Sequence, residues 1–65
     1  MGKMKELIEE YTNLMQAGYD ELAVDDRSNA REYFADAGHL LSQITDETLK
    51  EELSQMYSVN PLDYI

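Results

Sequence analysis

The side chains able to do chemistry in this 65-residue chain are one histidine, fourteen acids and four serines, with no cysteine. His39 follows Asp36 at a spacing that puts both on one face of a helix. In a helical bundle such a pair holds metal only where further carboxylates converge on it. The sequence supplies no such set, so His39 reads as a solvated surface residue. Acids stand as neighbours at Glu9 and Glu10, Asp25 and Asp26, and Glu51 and Glu52. Adjacent helical residues diverge by about 100°, so pairs of this kind on helices do not share a proton as a general acid and base would. Ser28, Ser42, Ser54 and Ser58 lack a second histidine, a lysine dyad or a glycine-framed turn to activate them, and no phosphate-cradling loop is present. The expectation is a protein that is not an enzyme and uses neither metal nor cofactor.

Fourteen acids against five bases give a net charge of -9, and acids outnumber bases in each of residues 1–24, 25–44 and 45–65. That charge opposes direct binding to DNA or RNA phosphates; it suits a basic protein partner or none, since an acidic surface also simply keeps a small protein in solution. The first residues, "MGKMKELIEEY", carry no long apolar run followed by small residues, and no stretch approaches the roughly 20 apolar residues of a membrane span. A soluble, cytoplasmic protein that does not enter a membrane is expected. Without cysteine no disulfide staples the fold.

These chemically quiet residues sit on strongly patterned elements. Met4, Leu7, Ile8, Tyr11, Leu14, Met15, Tyr19 and Leu22, with Gly18, form one stripe about 140° wide at helical spacing, broad enough to face two neighbours. A helix over about 3–24 follows, with Glu9, Asn13, Gln16 and Asp20 as a polar spine on its far side. "VDDRSN" offers Asp25, Asp26 or Ser28 as cap for a second helix over 28–44. That helix buries Ala30, Tyr33, Phe34, Ala37, Leu41 and Ile44, keeps Leu40 at the edge and turns His39 away. Thr45 is expected to cap a third helix over 46–57, whose stripe is Leu49, Leu53, Met56 and Tyr57; Asn60 before Pro61 ends it. No segment alternates with period two. The chain is therefore expected to be all-α, a single domain over 1–65 in which the third helix covers an antiparallel pair, with a tail over 58–65.

Within the pair, Leu14, Ala17, Gly18, Ala30, Phe34 and Ala37 stand at spacings that resemble one tetratricopeptide helix pair. Small residues at 18 and 30 let two helices approach, and Phe34 fills the space beside them. Glu21 and Ser42 depart from the family pattern, which does not continue beyond Ile44. The resemblance implies a tightly packed helix pair. It also implies peptide contact through the first-helix face at Thr12, Met15, Tyr19 and Leu22, without a carboxylate clamp, since none of these is Lys, Arg or Asn.

Partner-binding candidates come from two features. Tyr19 and Leu22 lie at one end of the wide stripe, and Leu62, Tyr64 and Ile65 follow the last helix, either folded back on the bundle or exposed as a docking motif. Glu9 and Asp20 represent the acidic spine. The leading expectation is a noncatalytic protein-protein interaction domain, a small acidic regulator or inhibitor. The alternative is a nucleic-acid mimic occupying a basic site on a DNA-handling protein, because carboxylates four apart lie about 6 Å along a helix, close to phosphate spacing. A weak homodimer through Tyr19 and Leu22 or the tail is the further expectation.

Overall fold

The computed structural model describes residues 2–65, with side chains from residue 4 onward. Three α-helices, α1 (Gly2–Ala23), α2 (Arg27–Ser42) and α3 (Glu47–Gln55), are followed by a short 3-10 turn at Pro61–Tyr64, and there is no strand among the described residues. The expected all-α, antiparallel three-helix unit is what forms.

Three residues, 24–26, connect α1 to α2, as short a connection as the sequence suggested. The Asp26 N–H donates to the Glu21 carbonyl at 2.8 Å and the Asp25 N–H to that of Leu22 at 3.0 Å. This is the bonding pattern of a Schellman stop, in which the residue after the cap turns left-handed. That residue is Asp25, at φ 60. Val24 is released from the helix with 71% of its surface exposed. Asp26 then serves as the N-cap of α2: its carboxylate accepts from the Asn29 backbone N–H at 3.2 Å and from the Asn29 side-chain amide at 2.9 Å.

Two other boundaries differ from expectation. Asp46, not Thr45, caps α3, with Oδ1 accepting from the N–H groups of Thr48 (3.1 Å) and Leu49 (3.2 Å). A carboxylate accepts both bonds and also carries the charge that a helix N-terminus attracts. At the far end of α2, Gln43 and Ile44 bond back three residues to Leu40 and Leu41, so the helix tightens and stops at Ser42 while Ile44 still enters the core.

The core consists of Tyr11, Met15, Ala30, Phe34, Ala37, Leu41, Ile44 and Leu53, each no more than 4% exposed. Gly18 is needed here, because a Cβ at that position would lie 2.5 Å from Cε1 of Phe34. The Tyr11 hydroxyl crosses the core and donates to the Leu53 carbonyl at 2.7 Å, tying α1 to α3. Tyr33 is not a core residue. It stands about 100° around α2 from Phe34 and lies half-buried on the outer side of α2.

The third helix covers the pair less fully than expected, since α2 packs more extensively on the Pro61–Tyr64 turn than on α3. The tail folds back. Asn60 Oδ1 caps the turn by accepting from the Leu62 N–H at 3.0 Å, Pro61 is buried, and the Tyr64 ring lies 5.3 Å from that of Phe34.

Candidate protein-contact surface

Tyr19, Leu22 and the tail meet around Phe34 in three different roles. The Tyr19 hydroxyl accepts from the Val59 N–H at 3.0 Å and lies 3.2 Å from the Ser58 hydroxyl. Its ring packs edge-on against Phe34 at 5.4 Å and beside Tyr57 at 5.7 Å. Tyr19 is thus half-buried and holds the tail in place. Leu62 is likewise half-buried against the core.

What lets the tail lie so close to α2 is Gly38. A Cβ there would come within 2.5 Å of the Pro61 carbonyl oxygen and 3.1 Å of Ile65 Cγ2. Gly38 carries no recognisable turn signal, and its role becomes visible only once the tail's path is known.

Among the contact candidates, the apolar groups left accessible are Leu22 and Tyr64, each 40% exposed, and Ile65 at 53%. Leu22 at the end of α1 and Tyr64 in the tail turn line one groove of about 400 Å³, together with Arg27, Ala30, Arg31 and Phe34 from the first half of α2. The buried Phe34 and Ala30 form its apolar base. Ile65 sits beside Gly38, outside the residues lining this groove. The two arginines and Phe34 were not among the contact residues read from the sequence. Their signal was present: Arg27 and Arg31 are the chain's only arginines and stand four apart.

Glu9 and Asp20 are exposed on α1, as are Asn13 and Gln16 of the same spine, and neither acid lines the groove. Of the four positions to which the tetratricopeptide resemblance assigns peptide contact, only Leu22 is exposed. Met15 is buried, the Thr12 hydroxyl donates to the Ile8 carbonyl at 2.9 Å within its own helix, and Tyr19 is taken by the tail.

A second hollow of about 410 Å³ is lined by Asn29, Glu32, Tyr33, Ala35 and Asp36. All five belong to α2, so no other element brings a group to meet them. His39 is exposed, and no three of the His, Asp or Glu side chains among the described residues are grouped to hold a metal ion. No helix among the described residues is long and apolar enough to cross a membrane. Comparison with protein-family models, curated proteins and solved structures found no match.

Proposed function

We propose that the chain is a noncatalytic protein-binding domain, a small acidic regulator or inhibitor, that meets its partner through the groove between Leu22, Phe34 and Tyr64. One observation carries this reading: apolar side chains from α1 and the tail, each 40% exposed, converge on a single depression with an apolar base. Scattered exposed apolar residues are ordinary, whereas apolar groups gathered around one concave site favour a contact there. The contact of Gly18 with Phe34 supports treating α1 and α2 as a tetratricopeptide-like pair. In this pair, peptide contact moves from the face of the first helix to the groove.

A second reading, the nucleic-acid mimic, draws support from the exposure of Glu9, Asp20, Glu47 and Glu51. A partner captured from the native extract separates the two. Deleting the tail would be a poor probe, because Pro61 and Leu62 pack on the domain. The double substitution Leu22→Ala, Tyr64→Ala is therefore preferable, since both side chains are partly exposed. Under the groove reading this variant loses binding, chiefly through faster dissociation, while replacement of the four acids by Gln or Asn has little effect. The opposite result, with steep salt dependence, would replace the first reading with the second.

A further inference from the structure

We propose that the groove receives an acidic, apolar segment of a partner protein, its carboxylate held by Arg27 and Arg31 and its bulky side chain seated against Leu22, Phe34 and Tyr64. This rests on the groove being the contact surface and names what enters it.

The argument is one of charge complementarity. Acids outnumber bases fourteen to five in the chain, yet both of its arginines line this groove and none of the six lining residues is an acid. The lining itself is therefore basic, although Asp25 and Asp26 stand beside Arg27 in the chain. Arg27 and Arg31 stand four apart in α2, which puts their Cβ atoms about 5–6 Å apart on one side of the helix. Like charges at that spacing disfavour the helix slightly, a cost that an anion between them removes.

Neither arginine is committed within the domain. The ion pair recorded among the described residues joins Arg27 Nε to Asp25 at 3.9 Å, with side chains 87% and 91% exposed, and Arg31 has no acidic partner within 4 Å. Two exposed groups at that distance interact weakly. A guanidinium carries its donors in a rigid planar fork that matches a carboxylate at two points, so arginine suits this task better than lysine. Beneath the charged rim, Ala30 and Phe34 are each 1% exposed and close the floor, so the gain from covering by a hydrocarbon or aromatic group comes from Leu22 and Tyr64 beside them, each 40% exposed. A volume of about 400 Å³ suits a short anchor rather than a whole helix.

The net charge of -9 opposes the approach of an acidic segment at long range, but only weakly at physiological salt. Its field is screened over about 8 Å at physiological salt, and a partner that is basic overall still docks through an acidic, apolar anchor.

Two synthetic tetrapeptides test the idea, acetyl-Leu-Asp-Phe-Asp-amide and its counterpart with asparagine at both aspartate positions, titrated into the 15N-labelled protein. The acidic peptide is expected to shift the amide signals of Ala30, Arg31 and Tyr64 and to bind about fivefold more tightly than the amide peptide. Arg31→Gln, at an exposed position, should abolish that preference while leaving signals outside the groove unchanged. Equal binding of both peptides at the groove would overturn the charge inference and leave the contact surface standing. No shift at the groove from either peptide would overturn both. Groove shifts that grow with protein concentration in the absence of peptide would assign the groove to a second copy of the chain, and the proposal would fail.

Discussion

Asp25 occupies a backbone conformation that side-chain-bearing residues avoid. At φ 60 it fills the left-handed position of the α1 stop, where glycine carries no steric penalty. Its side chain takes part only in the weak, exposed contact with Arg27. Asp25→Gly is accordingly expected to raise stability by about 0.5–1 kcal/mol, read from denaturant midpoints. Tyr11 is the opposite case, a polar group deep in the core and fully used. Burial, then the neighbouring Tyr57 and Tyr19 hydroxyls, push its phenol from 10.0 up to about 12. The native state therefore holds this proton more tightly than the unfolded chain does. The contribution to stability is whole below pH 10 and is lost as pH rises toward 12. Melting temperature should fall across that window. Tyr11→Phe, which removes the bond to Leu53, should cost about 1 kcal/mol at neutral pH and flatten the alkaline decline.

At the scale of elements, helical periodicity was strong enough to disclose α1, α2 and α3 to within two residues, because each carries an apolar stripe, although Met4, Leu22 and Met56 of those stripes stay exposed. It disclosed Ala30, Phe34, Ala37 and Leu41 for the same reason. What lay beyond it depended on contacts between distant segments. Tyr33 and Phe34 look alike in a pattern of apolar residues, and only the direction of α1 decides which one faces inward. Gly38 resembles any small residue on a helix until Pro61 is seen to rest on it. The groove was half legible, through Leu22 and Tyr64, while its arginines read as ordinary surface charge. Gly38→Ala tests the element-level account. Alanine favours the α2 helix by about 1 kcal/mol, yet its Cβ would meet a backbone oxygen that no rotamer change can move away. Helix content should be retained while the tail detaches, visible as faster proteolytic cleavage within 58–65. An unchanged cleavage rate would show that the tail does not depend on this close approach.

Across the whole molecule, the 22 residues of α1 set the shape. At 1.5 Å per residue the helix is about 33 Å long, close to the 36 Å long axis, whereas the other extents are 21 and 16 Å. A body so slender cannot cover all its apolar surface, and Met4, Met56 and Ile65 remain 44–53% exposed in addition to the groove. Mutual repulsion between copies carrying -9 each counteracts the association this exposure would favour. Self-association should therefore be absent at low salt and strengthen as salt screens the repulsion, which sedimentation at two ionic strengths would detect. A dimer that weakens with added salt would point to charge pairing instead.

The Tyr19 hydroxyl reaches a backbone amide 40 positions away along the chain. Closing so large a loop costs more entropy than bringing Gly18 to Phe34, which spans fewer than half as many residues. The helix pair consequently has the shorter route to its contacts, and tail docking is the step that follows it and the first to reverse. Amide exchange should then be graded rather than uniform. The Val59 N–H exchanges through brief lifting of the tail, while the amides of Phe34 and Leu41 wait for the whole molecule to open. A partner that grips Tyr64 in the groove would slow exchange at Val59, several residues from anything it touches.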